Sequence, residues 1–237
     1  MAEVVTTKNR VETVLEKVSR AAEISGRPAD AITIIAVGKT HPPEDFHPVI
    51  EAGIRHFGES RVQEAETKIP PLADQDVTWH MIGHLQRNKA GNAVELFDQL
   101  HSLDSKRLAR RLQQQMEKAD LEKFQTFIQV NTSGEKSKYG IAPEALVPLL
   151  EIIDKDCPRL RVTGLMTMAP LTDDETKIRK TFQQLRKLSA KTETTSYSNV
   201  TLDSLSMGMT NDYEIAVEEG ATHLRIGRAI FGERLSR

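Results

Sequence analysis

The sequence predicts an α/β protein, a single (β/α)8 TIM barrel with an extra N-terminal helix, as one domain over residues 1–237. Eight short apolar or β-branched runs alternate with segments of helical spacing, the pattern of parallel β-α-β units. At eight units a closed barrel is expected, and the chain is long enough for one. An open doubly wound sheet would carry a Gly-rich fingerprint after its first strand, and no G-x-G-x-x-G stands there. No linker, low-complexity stretch or second domain interrupts the alternation.

The first helix is expected over 4–25, with apolar residues at helical spacing, Val4, Val11, Val14, Leu15, Val18, Ala22 and Ile24, and Gly26 and Pro28 as its stop. Residues 32–37, all but Thr33 apolar, read as a buried parallel strand. A helix over 44–53 carries Phe46, Val49, Ile50 and Ala52 inward. Strand two is 54–58, followed by a helix over 59–68 that Pro70-Pro71 ends. Strand three is 77–82, with a helix over 86–96 after it. Strand four is 99–103, and Asp104-Ser105 caps an amphipathic helix over 105–118. Strand five is 124–130, then a polar loop over 131–140 and a helix over 143–153 with Pro143 in its first turn. Strand six is 160–165, and Asp173-Asp174 starts a long helix to about 189. A polar connection over 192–199 precedes strand seven, 201–205. A helix over 211–219 and strand eight, 222–226, complete the set. The segment after strand eight is short, so the N-terminal helix is expected to fill its place in the outer ring.

Charged residues are 28 % of the chain and the net charge is −2, which excludes a polybasic nucleic-acid or membrane binder. Lys106-Arg107 and Arg110-Arg111 read as a solvated helix face. No apolar run approaches the ~18 residues of a membrane span. Residues 1–10 are polar and of mixed charge, unlike a secretory signal. The single cysteine, Cys157, excludes an internal disulfide framework and CxxC zinc sites, and reads as structural. A reduced, cytoplasmic protein is the expectation.

Candidate chemistry gathers at the strand ends. Lys39 follows the first strand directly. In a barrel that end opens into the active-site face, where a desolvated amine would suit a Schiff base. A lysine that snorkels to solvent or pairs with a carboxylate fits the same stretch. Ser206-Met207-Gly208-Met209-Thr210-Asn211-Asp212 and Arg225-Ile226-Gly227-Arg228 follow strands seven and eight, where barrels often build a phosphate site. Ser206, Thr210, Gly208 and Gly227 suit that task, although each glycine also fits a tight turn. Strands one and eight are neighbours in a closed barrel, so one small cofactor can reach both sites. A Schiff-base lysine beside a phosphate cradle suggests pyridoxal 5′-phosphate. Arg225 would then face the pyridine nitrogen as a pure donor, or else form an ion pair at the barrel mouth. His80 and His84, at a strand-to-loop junction, read as hydrogen-bonding wall residues rather than metal ligands. Met166 and Met168 read as packing.

Seven stretches together are similar to the YggS-like pyridoxal-phosphate homeostasis proteins. They are Ala36-Val37-Gly38-Lys39-Thr40, Phe57-Gly58-Glu59, the run from His80 to Gln86, Asn131-Thr132-Ser133-Gly134-Glu135, Gly164-Leu165-Met166-Thr167, Ser206-Met207-Gly208-Met209 and the run from Arg225 to Gly232. The resemblance covers nearly the whole chain. It implies a barrel related to the N-terminal domain of alanine racemase, with the cofactor covalent on Lys39. It implies phosphate contacts from Ser206, the Met207 backbone, Gly227 and Arg228, with Arg225 at the pyridine nitrogen. Ser60 stands where the family usually has asparagine, and Arg228 where threonine or serine is common. Ser60 and His80 complete the expected cofactor-binding set; no catalytic or metal-binding residue is assigned. The family is linked to vitamin B6 supply and to amino- and keto-acid balance, with apo-enzymes as conceivable recipients of the cofactor. A racemase would need a second acid/base group from a second domain, and the chain ends soon after strand eight. A non-catalytic monomer is therefore expected. A weak racemase using Lys39 as base and a class I aldolase-type barrel without cofactor are the competing readings.

Overall fold

Eight parallel strands pair in chain order, and the last returns to the first. The computed structural model describes residues 6–135, 137–192, 194 and 197–233. Its strands are β1 (Thr33–Val37), β2 (His56–Glu59), β3 (Thr78–Met81), β4 (Gln99–Leu103), β5 (Phe124–Gln129), β6 (Leu160–Met166), β7 (Val200–Ser206) and β8 (His223–Ile226). Ile35 pairs with His56 on one side and with Arg225 on the other, so β1 lies between β2 and β8 and the barrel is closed. Its C-terminal mouth gathers the loops after every strand.

The outer layer is α1 (Thr7–Ile24), α2 (His47–Glu51), α3 (Val62–Lys68), α4 (Ala90–Leu96), α5 (Lys106–Lys118), α6 (Leu146–Asp156), α7 (Glu175–Lys191), α8 (Tyr213–Glu218) and α9 (Arg228–Phe231). Each long helix buries one apolar stripe against the strands, as Leu108, Leu112 and Met116 do on α5. Burial of each such side chain stabilises by about 1.5–3 kcal/mol. The expected first helix begins at Thr7, capped by Thr6; residues 4 and 5 lie outside the described residues. So do parts of the expected 131–140 loop and 192–199 connection.

Several helices start later than the sequence pattern suggests, α4 at Ala90 after a 3-10 turn over Arg87–Lys89 and α8 at Tyr213 among them, and two do so for one physical reason. Pro48 has no N–H to offer the carbonyl of Glu44, so residues Pro43–Phe46 form a 3-10 turn and α2 begins at His47. Pro148 does the same to Glu144, and α6 begins at Leu146 after a 3-10 turn over Pro143–Ala145. The chain at Glu59 continues β2 instead of opening a helix, and α3 starts at Val62.

The N-terminal helix fills the gap beside the four-residue α9. Arg10 Nε donates to Ile230 O at 2.9 Å, and Arg27 Nη1 donates to Ala221 O at 2.8 Å. The pair Lys17–Glu214 ties α1 to α8 across 3.1 Å. Among the described residues, no helix is long and apolar enough to cross a membrane. Cys157 is buried, and its surroundings push its thiol up to about 11, in keeping with a structural role.

The barrel interior departs from the usual apolar filling. His101 on β4 meets Ser206 on β7 at 2.7 Å. These strands are not neighbours, so the contact crosses the interior. His56, His80 and His223 join the same cluster.

Candidate functional site

A cavity of about 280 Å³ opens at the C-terminal mouth. Its size is near the lower end of small-molecule sites, roughly 300–1,000 Å³. Lys39 after β1, Ser60 after β2, Met168 after β6, Thr210 after β7 and Arg225 on β8 all reach it, as do Gly227 and Arg228.

Lys39 sits on a turn held at several points. The turn places Thr40 at φ 65°, a left-handed conformation uncommon for a residue with a Cβ. Thr40 N donates to Glu64 Oε2 at 3.1 Å. Gly38 O accepts from His41 N at 3.1 Å and from Lys68 Nζ at 2.7 Å. Lys68 also donates to Glu59 Oε1 at 2.5 Å, and both residues are buried. Burial raises the Glu59 carboxyl, and its bond to Lys68 opposes the rise. A Cβ at Gly38 would collide with the Phe46 ring, so the strand end can pass Phe46 only as glycine. The Lys39 side chain lines the cavity and is exposed at its open mouth, where the sequence predicts a desolvated amine.

Arg225, on the neighbouring strand β8, lines the same cavity and is 4 % exposed. Its Nη1 donates to Ser206 Oγ at 2.7 Å and its Nη2 to Thr167 O at 2.8 Å. Burial lowers the guanidinium to about 10, with nearby Asp212 opposing the shift, so it stays charged at neutral pH. Asp212 itself is held by Met209 N at 2.6 Å, and burial raises its carboxyl.

Two residues beyond Arg225 the chain enters α9, whose start supplies amide donors. The Ile230 and Phe231 amides bond back to Gly227 O, the amides of Arg228 and Ala229 come before any helical acceptor, and Gly227 and Arg228 line the cavity. Gly208 takes φ +94°, and a Cβ there would clash with Ala216, so the turn into 209–212 needs glycine.

Five of the expected site residues therefore share one wall system: Lys39, Ser60, Arg225, Gly227 and Arg228. Three stand elsewhere. Ser206 is fully enclosed behind Arg225. The Met207 N–H donates to His223 O at 3.1 Å and is already used in the sheet. His80 is fully buried in the interior, between His56 at 3.0 Å and His101 at 2.9 Å. Met168 lies on the cavity wall, whereas Met166 packs inside. His84 pairs with Asp104 at 3.2 Å and stacks on Tyr139. Sequence reasoning passed over His56, His101 and His223. The available signal was a histidine inside the otherwise strand-like runs two, four and eight. Among the described residues, no group of three or more His, Cys, Asp or Glu side chains stands ready to hold a metal ion.

The sequence matches the family described as alanine racemase, N-terminal domain, over residues 13–235. The pyridoxal phosphate homeostasis protein of Aquifex aeolicus is 40 % identical over 225 residues, covering 95 % of this chain and 97 % of that one. Its counterpart in Pseudomonas aeruginosa is 40 % identical over 229 residues, covering 97 % and 96 %. PipY of Synechococcus elongatus, solved with pyridoxal phosphate bound, superposes with a TM-score of 0.78 at 36 % identity, covering 91 % of this chain and 100 % of that one.

Proposed function

Since the chain belongs to the alanine racemase N-terminal domain family and, within it, to the pyridoxal phosphate homeostasis proteins, we propose that it holds pyridoxal 5′-phosphate at the barrel mouth as a Schiff base on Lys39. In this reading it serves intracellular vitamin B6 supply and amino- and keto-acid balance by carriage rather than turnover. The observation that carries it is the meeting of Lys39, after β1, and a buried Arg225, on the neighbouring β8, in one small cavity that Gly227 and Arg228 also line.

The donor set fits the group. A primary amine suits an aldehyde, a guanidinium suits an aromatic ring nitrogen or an anion, and helix-terminal amides suit a phosphate. When bound, the cofactor supplies an electrophilic aldehyde and a conjugated ring. The remaining work falls to the chain's own residues. The turn at 38–41 orients Lys39. Gly227 and the α9 amides bind an anion, and the exposed Arg228 side chain adds charge beside it. Arg225 donates only, so it leaves a facing ring nitrogen unprotonated and weakens electron withdrawal. That weakening favours holding the cofactor over reacting through it.

An absorption spectrum with added pyridoxal phosphate, taken before and after borohydride and followed by peptide mapping, tests the reading. A visible band whose reduction fixes the label on Lys39 is expected, with loss of the band in Lys39→Ala. Reducible cofactor retained by that folded variant would overturn the assignment. Steady turnover of amino acids by the loaded protein would replace carriage with catalysis.

A further inference from the structure

We propose that His101 is a positioning residue for the pocket floor: it turns the Ser206 hydroxyl inward, so that Ser206 is committed to accepting from Arg225, and His80 and His56 fix its tautomer. The proposal rests on the reading that Arg225 faces the bound ligand.

A guanidinium has no acceptor, so Arg225 Nη1 must donate to Ser206 Oγ. The hydroxyl has one hydrogen, and its remaining partner is His101 Nδ1 at 2.7 Å. Ser206 therefore donates, and His101 Nδ1 is bare. In a neutral ring the proton then lies on Nε2, which donates to His80 Nδ1 at 2.9 Å. The same step repeats: His80 carries its proton on Nε2 and donates to His56 Nδ1 at 3.0 Å. His56, half-buried, ends the chain with its own Nε2–H. Every bond runs one way, from the pocket wall to the start of β2.

The surroundings hold the rings neutral. Burial is the first cause at all three, and it places His80 and His101 well below the ordinary imidazole range. His223 on β8 lies 5.9 Å from His101 between ring centroids, and Arg225 adds a fixed positive charge. Phe127 on β5 stacks on His101 at 4.2 Å. Asp98 near His56 and Asp212 near Arg225 are the carboxylates acting on the two ends of the chain. A cationic His101 would also face Ser206 with a donor and leave the hydroxyl hydrogen unpartnered.

The test begins with the full chain without added cofactor, labelled with nitrogen-15 at histidine. Long-range nitrogen–proton spectra at pH 7 should assign the Nε2–H form to His56, His80 and His101. A protonated Nδ1 on His101, or an imidazolium there, would overturn the proposal. A second arm compares His101→Leu with His101→Asn, whose side-chain oxygen restores an acceptor for Ser206. With pyridoxal phosphate, His101→Leu should bind about tenfold more weakly and shift the pH profile of the absorption band, while His101→Asn recovers toward the parent. Equal binding and equal pH profiles in both folded variants would refute the positioning role. Should His101→Leu fail to fold, Ser206→Ala replaces it: it removes the acceptor for Arg225, and parent-like binding would refute the role. A parent chain that takes up no pyridoxal phosphate would sink the proposed function, and the tautomer spectra would still decide the direction of the chain.

Discussion

Lowering the pH from 7 to 5 should remove about 4 kcal/mol of folding stability through two rings alone. His80 and His101 are fully enclosed, and their folded pKa values lie well below 6.5 because burial penalises the cation. In the unfolded chain both titrate near 6.5. A depressed folded pKa means stability that is complete above about 6.5 and is lost as the pH falls toward the folded values. Each ring that stays neutral at pH 5 forgoes about 2 kcal/mol relative to the unfolded chain. His223, lowered to about 4, acts in the same direction. Glu59 and Asp212, raised by burial, act oppositely, because folded carboxyls then take up protons ahead of unfolded ones. Total stabilities run at about 5–15 kcal/mol, so the net loss is a large share. Urea unfolding at pH 7.0, 6.0, 5.5 and 5.0 gives the free energy at each pH. A slope worth at least two protons taken up on unfolding is expected between pH 6 and 5, and one fewer in His101→Asn. A slope below one proton would refute neutral burial of these rings.

Lys68→Met should cost about 3–5 kcal/mol, because it leaves the enclosed Glu59 carboxylate without its cation and frees Gly38 O. The shift in the urea midpoint measures this, and a change under 1 kcal/mol would show that the pair does not anchor the Lys39 turn. Gly38→Ala should cost about 1–3 kcal/mol by overpacking against the Phe46 ring. A thermal scan is sufficient, and an unchanged midpoint would mean that Phe46 can retreat. Arg225→Glu sets an acceptor against Thr167 O and removes the donor to Ser206. It should lower stability, favour protonation of a facing ring nitrogen and alter the pH dependence of bound pyridoxal phosphate absorbance; an unaltered spectrum would count against Arg225 as its neighbour.

The barrel was readable in the sequence because parallel strands buried on both faces are near-continuous apolar runs, as at 32–37, and because such runs alternate with helical periodicity along the chain. Helix starts were less readable where a second proline, Pro48 or Pro148, competed with the periodic pattern. Site residues at strand ends, such as Lys39, Arg225 and Gly227, were legible because the fold sends every strand end to one mouth. Exposure was not: Lys39 follows a buried strand, yet its side chain reaches an open rim. The imidazole chain was also beyond reach. It joins residues on β2, β3, β4 and β7 across the interior, and His101 and Ser206 are 105 positions apart. Which strand residues point inward, and at what height, depends on the tilt of the closed sheet rather than on any local pattern.

The same interior explains why a buried arginine is tolerable here. An enclosed guanidinium is costly unless its hydrogens find acceptors. Thr167 O supplies one directly. Ser206 supplies the other through an oxygen lone pair, and His101 takes up the hydroxyl hydrogen that would otherwise be enclosed without a partner. An aliphatic side chain at 101 would pack a barrel equally well and leave that hydrogen without a partner. Each ring in turn needs an acceptor for the proton its neighbour forces onto Nε2, so the polar contacts propagate until His56 reaches partial exposure at the start of β2. The length of the chain thus follows from one requirement, a fixed cation on the pocket wall, and its acid sensitivity follows from how that requirement is met.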